Sequence, residues 1–127
     1  MRSTLLLIML WASFVCHAQS YKLFTTDEDL SSSLINHIYQ DSNGMIWVAT
    51  EDGLNRYDGA KFTTYKHNPE DAHSLSHNYV RRIFEDSKGH IYIGTHNGVQ
   101  VYNPATDTFS EKAILENDRP YNQSITD

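Results

Sequence analysis

An all-β fold, assembled from a repeated four-stranded antiparallel unit, is predicted by three features of the sequence. Residues 35–57 and 80–102 align without a gap. Both copies divide short apolar runs with glycine-containing turns at matching positions. The central run of each copy, Ile46-Trp47-Val48-Ala49 and Ile91-Tyr92-Ile93-Gly94, shows no polar alternation, so both faces of that strand are expected to be buried. Four short strands per roughly 45 residues, the middle ones without a solvent side, make the pattern of a β-propeller blade, whose sheets stack face to face about an axis. A β-solenoid or β-sandwich is the competing architecture, and the strand count favours blades.

The chain opens on Arg2, an apolar stretch from Leu5 to Val15, and Cys16-His17-Ala18. A charged start, a short apolar centre and small residues two apart, Cys16 and Ala18, form the pattern of an export signal ending after Ala18. A buried core helix or an uncleaved anchor are the alternatives, and the stretch is short for a membrane span of roughly 20 residues. Acylation of Cys16 is disfavoured by the bulk of Phe14 and Val15. Removal of residues 1–18 takes away the single cysteine, leaving neither a disulfide nor a thiol nucleophile. The expected location is periplasmic or secreted.

Tyr21-Lys22-Leu23-Phe24 is patterned like Phe62-Thr63-Thr64-Tyr65, so residues 19–29 read as an extra N-terminal strand of the kind that closes a ring. Residues 30–74 form the first blade and 75–112 the second. In each, Asp-Ser-x-Gly ends the first strand (Asp41 to Gly44, Asp86 to Gly89), with glycine supplying a positive φ. Asp52-Gly53 and Asn97-Gly98 are expected to form two-residue type I′ hairpins. Fourth strands follow at Phe62 to Tyr65 and Phe109 to Lys112. Residues 113–127 read as a linker and the start of a third repeat, with Gln123-Ser124-Ile125-Thr126 echoing Ser74-Leu75-Ser76. The whole is a partial β-propeller over 19–127: about two blades and a strand, too few for the four to eight blades of a closed ring.

Composition limits the function. The 127 residues carry a net charge of −6, without the basic stripe that a nucleic-acid partner needs. His73 and His77 are four apart but in a loop, with neither a cysteine nor a His-Glu-x-x-His motif beside them, so no metal site is expected. Glu51-Asp52 and Glu70-Asp71 are adjacent in turns rather than set across a cleft as glycosidase carboxylates would be. No catalytic residue and no cofactor is therefore expected. Trp47 and Tyr92, like Tyr57 and Tyr102, recur at matching positions and read as packing residues.

The pattern Gly-x-Ile-Trp/Tyr-Val/Ile-Ala/Gly-Thr-x-x-Gly-Leu/Val-x-x-Tyr runs from Gly44 to Tyr57 and from Gly89 to Tyr102. It resembles the two-component regulator propeller repeat. The Gly-His…Trp-Asp signature of WD40 blades, the Gly-Gly doublet of kelch blades and the quinoprotein docking motif are absent. The resemblance implies an N-terminal periplasmic sensor region of a bacterial, often hybrid, sensor histidine kinase, commonly responsive to oligosaccharides. Neither a kinase histidine box nor a nucleotide-binding region is present. The chain is accordingly expected to be a non-enzymatic, truncated sensor propeller. Its partners would be an oligosaccharide and either the remaining blades of a longer sensor or a second copy of the chain. A secreted interaction module assembled from short chains is the alternative.

In an antiparallel blade the 4-to-1 and 2-to-3 connections fall on one rim, here residues 67–78, Glu51-Asp52 and His96-Asn97. Asn36 and Arg81 occupy equivalent but non-repeating places on the innermost strands. Residues that differ where the scaffold repeats suit ligand discrimination. The candidate ligand-binding residues are therefore Asn36, Arg81, Glu51, His96 and Asn78, weighed against an ordinary solvated rim.

Overall fold

The computed structural model describes residues 19–27, 29–112, 114–116 and 119–121, with side chains through residue 112. The expected export signal and the expected start of a third repeat, Gln123 to Thr126, lie outside the described residues. Two four-stranded antiparallel sheets account for the rest. Strands β1 (Ile35–Gln40), β2 (Ile46–Thr50), β3 (Gly53–Tyr57) and β4 (Phe62–Tyr65) lie in sequence order in the first sheet. In the second, β5 (Val80–Glu85), β6 (Ile91–Thr95), β7 (Gly98–Asn103) and β8 (Thr108–Glu111) repeat that order. A small hairpin, β9 (Ile114–Glu116) with β10 (Arg119–Tyr121), occupies part of the expected linker.

Strand alternation decides which side chains meet between the sheets. Pairing of Trp47 with Arg56 and of Leu54 with Tyr65 places all four on the face toward the second sheet. That sheet answers with Ile83, Ile91, Ile93, Tyr102 and Phe109, all buried. Trp47 meets Tyr102 edge-on at 4.9 Å between ring centroids, and Tyr65 meets Phe109 at 5.2 Å. Each buried ring contributes roughly 1.5–3 kcal/mol, and each such ring pair adds about 0.5–1.5 kcal/mol. The junction is the molecule's core.

Arg56 and Asp107 lock its edge. The Arg56 guanidinium lies 5.6–5.7 Å from the centroids of Trp47, Tyr65 and Tyr102 and donates to the Tyr102 hydroxyl. Asp107 Oδ1 accepts from the Tyr65 hydroxyl at 2.6 Å and from that of Tyr102 at 2.7 Å. Burial pushes the Asp107 carboxyl up, but these two hydroxyls and Arg56 outweigh it and leave the carboxyl below its ordinary value. Burial and the same carboxylate hold the Tyr65 phenol far above its ordinary value.

Within each sheet the repeat is also a polar circuit. Thr50 and Thr95 are fully buried, and their hydroxyls share hydrogen bonds with Ser31 at 3.0 Å and Ser76 at 2.9 Å. Buried Asn55 accepts from Ser31 N at 3.1 Å, just as Gln100 accepts from Ser76 N at 2.8 Å. These bonds meet the requirement that buried polar groups be paired. At the opposite rim, Asp41 accepts from the Trp47 indole at 2.8 Å and Asp86 from the Tyr92 hydroxyl at 3.1 Å. Hydrogen bonds led by the His90 amide hold the Asp86 carboxyl well below the usual carboxylate range, against its partial desolvation.

The 2-to-3 turns differ from the type I′ expectation. Their central residues are Glu51-Asp52 and His96-Asn97, since Thr50 pairs with Gly53 and Thr95 with Gly98. Among the described residues positive φ occurs at five glycines and at Asp107, so neither central pair is of the mirror-image type. The threonine hydroxyls account for this. Thr50 Oγ1 accepts from Asp52 N and donates to Gly53 O, an arrangement repeated around Thr95, and it closes the turn without left-handed central residues. Gly53 stands at the turn exit with φ +128°, where an added Cβ would meet the Tyr65 carbonyl oxygen at 3.0 Å.

Residues 19–29, expected as an extra strand, form no ladder among the described residues. The side chain of Phe24 nonetheless does what such a strand would require, packing edge-on against Tyr57 and Phe62 at 4.9 Å each.

Candidate functional site

The rim carrying the 2-to-3 turns is drawn together by the loop of residues 66–79. Gly53 N donates to Asn78 O at 2.6 Å, His96 N to Tyr79 O at 3.2 Å, and Asn97 Nδ2 to Ser76 O at 3.0 Å. One loop therefore spans both blades and holds both turns, as the chain order required.

Arg81 and Asn36 owe their placement to matching irregularities. Each pairing of a first with a second strand shifts register by one residue, between Ile35 and His37 and between Val80 and Arg82. The skipped residues are Asn36 and Arg81. A bulge re-aims a side chain that regular pairing would point elsewhere, and bulges gather beside binding sites.

Around Arg81 a compact group forms. Its Nη2 lies 3.0 Å from His96 Nε2, and its guanidinium carbon lies 5.4 Å from the Tyr79 ring centroid. The His96 ring contacts Tyr79 at 4.2 Å and stacks on His77 at 5.3 Å. Glu51 Oε1 accepts from the Tyr79 hydroxyl at 3.3 Å. Arginine can only donate, so His96 Nε2 must offer a lone pair and the ring is neutral, protonated on Nδ1. Desolvation first, then the charges of Arg81 and His77, lower the His96 pKa accordingly. Beside the group opens a cleft of about 680 Å³, lined by His67, Ser76, His96, Asn97, Gln100 and further residues of the loop.

Three of the five candidates thus converge: Glu51, Arg81 and His96. The other two carry structural bonds. The Asn36 amide donates to Val80 O at 2.8 Å, joining the innermost strands of the two blades. Asn78 Oδ1 accepts from His67 N at 2.7 Å, shaping the loop. Tyr79 and His77 belong to the group but were not singled out as ligand residues. The available signal was Tyr79 two positions before the bulged Arg81, both on the non-repeating approach to the strand. His73 and His77 go separate ways: His73 O accepts from Phe109 N, while His77 Nδ1 accepts from Tyr79 N. Among the described residues no three His, Cys, Asp or Glu side chains gather as metal ligands. Glu51 and Asp52 also part, the latter pairing with Lys66 at 2.8 Å.

Chemically the arrangement offers one guanidinium, one carboxylate and a run of three rings, of which His96 also lines the neighbouring cleft. It can hold a ligand by charge, hydrogen bonds and ring faces. It presents neither a nucleophile paired with a base nor two facing carboxylates.

Comparison with known proteins agrees with the blades. The two component regulator propeller model matches residues 29–52 and 74–97, so the chain carries two tandem copies of that repeat. Over 56 residues it is 48% identical to histidine kinase P4 of Formosa agariphila, an alignment covering 44% of this chain and 4% of that one. Two crystal structures of the BT4673 extracellular domain from B. thetaiotaomicron superpose with a TM-score of 0.64 at 24% identity. One describes it as a one component system, the other as a hybrid two component system. Each superposition covers 84% of this chain and 15% of BT4673. The chain therefore spans a small part of the length of these proteins, and the two sheets are propeller blades.

Proposed function

We propose that these two regulator-propeller blades belong to the extracytoplasmic ligand-sensing propeller of a two-component sensor kinase, and that the ligand is a carbohydrate. The observation that carries the reading is the group of Glu51, Tyr79, Arg81 and His96. It is built from non-repeating residues on an otherwise repeating frame, with the bulge of the second blade turning Arg81 into it. A rigid frame with variable rim residues is how a repeat scaffold acquires a specific ligand. Ring faces and paired hydrogen-bonding groups suit a saccharide, which offers apolar faces and many hydroxyls. The kinase in the related chain's name supplies the output, and the extracellular position of the BT4673 domain supplies the location.

The test is titration of the isotopically labelled protein with a panel of oligosaccharides, followed by the ring signals of Tyr79 and His96. Shifts confined to that rim, and abolished by Glu51→Ala with Tyr79→Phe, are expected. Binding elsewhere, or none, would sink the rim reading. For the signalling output, sequencing the gene on both sides of this stretch is expected to reveal more repeats and a kinase frame.

A second reading, a blade module that associates with copies of itself, is favoured by the bare apolar side chains of Leu34, Ile38 and Phe84. Light scattering on the purified protein separates the two: a monomer at micromolar concentration excludes self-assembly.

A further inference from the structure

We infer that Arg81 anchors an anionic group, so that the carbohydrate of the preceding section is an acidic one, bearing a carboxylate or a sulfate ester; this rests on the rim reading. Two other cations on the blades have acidic partners: Arg56 pairs with Asp107 at 3.4 Å, and Lys66 with Asp52 at 2.8 Å. Arg81 has none among the described residues. Its Nη2 is spent on a neutral imidazole, and its Nε is buried with no hydrogen-bond partner. A partly desolvated guanidinium without a carboxylate partner is costly, and an anion arriving beside it would relieve the cost of that uncompensated charge.

The group is also set in advance. The bulge fixes the backbone, the Tyr79 ring lies against the guanidinium, and His96 holds Nη2. Little side-chain freedom remains to be lost on binding, and the planar donor fork matches carboxylate and sulfate geometry. The equivalent position of the first blade holds Asn36, a neutral amide already bonded to Val80 O. Of these two equivalent positions, that of the second blade carries the cation.

Two observations narrow the ligand further. The net charge of −6 gives no long-range attraction for anions. Glu51 sits on the same rim against the Tyr79 hydroxyl, ready to accept from a neighbouring sugar hydroxyl. A simple anion would gain from Arg81 alone, whereas an acidic saccharide satisfies both groups.

The experiment titrates the labelled protein with glucuronate, glucose 6-sulfate, glucose and inorganic sulfate, reading the Arg81 Nε–H signal and the Tyr79 and His96 rings. Acidic sugars are expected to bind about tenfold or more tighter than glucose, with a loss of similar size in Arg81→Gln and partial recovery in Arg81→Lys. Should Arg81→Gln fail to fold, the Nε–H signal of the unaltered protein decides. A signal that stays still while acidic sugars bind overturns the anchor. Equal binding of glucose and glucuronate, indifferent to Arg81→Gln, overturns the anionic inference and leaves the rim reading standing. Absence of binding by every sugar and by sulfate overturns the rim reading and the inference with it. Sulfate moving the Arg81 signal while no sugar binds supports the anchor and removes the saccharide.

Discussion

The two blades present equivalent faces to different neighbours. On the second blade, Tyr102 and Phe109 are covered by Trp47 and Tyr65 of the sheet before it, and Ile83 is 1% exposed. On the first, the equivalent Tyr57 and Phe62 meet Phe24 among the described residues, and the equivalent Ile38 is 58% exposed. Lys22 stands in for Arg56, reaching the Tyr57 hydroxyl at 3.3 Å and lying 5.3 Å from its ring centroid. Identical positions in two repeats therefore differ in burial because of what lies against them. Blade stability is a neighbour property, as in other stacked repeats.

Mutations at the two junctions break the comparison or sharpen it. Trp47→Ala, at the full junction, is expected to cost about 3–5 kcal/mol, because it removes a buried ring and leaves Asp41 without its indole partner. Urea denaturation measures it, and a cost near 1 kcal/mol would show the junction to be looser than its packing. Ile83→Ala should cost about 2–4 kcal/mol, whereas Ile38→Ala should stay within about 0.5 kcal/mol. Equal losses at both would mean that the inner face of the first blade is covered in solution.

Asp107→Asn is smaller, about 1–2 kcal/mol, since its side chain is 50% exposed and solvent screens its pairing with Arg56. Its sign with pH is distinctive. The folded carboxyl lies below its ordinary value, so its contribution is present above about pH 4, the unfolded value, and drains as pH falls through the folded one. Acid titration of stability should show this limb in the parent protein and a shallower one in the variant. Phe24→Ala, at the thin junction, should cost about 1 kcal/mol. A larger loss, seen as a lowered midpoint of thermal unfolding, would make the N-terminal stretch a full structural substitute for a preceding sheet.

The blades were legible because their signals are short in range. Gly44 and Gly89, three residues after Asp41 and Asp86, mark a tight turn wherever they occur, and unalternating runs such as Ile46 to Ala49 mark strands buried on both faces. Turn type was less legible. Asp52-Gly53 looks like a mirror-image hairpin until the Thr50 hydroxyl is seen to bond across it. Phe24 was read as part of a strand from its likeness to Tyr65, and the structure keeps its packing role without the ladder. At the rim, Arg81 stood out by failing to repeat, and Tyr79 shares that non-repeating approach, but its place between Arg81 and Glu51 depends on a contact 28 positions away.

By itself the sequence determined the repeat, its four strands and the rim on which the variable residues would lie, because these follow from backbone geometry within a few residues. Only the tertiary structure decided which rim residues meet. Glu51 reaches Tyr79 across 28 positions, and Arg81 reaches His96 across 15. Such contacts depend on the bulge that turns Arg81 aside and on one loop binding two blades. Both are set when the sheets close on each other, through energies spread over the whole junction that no short stretch of the chain encodes.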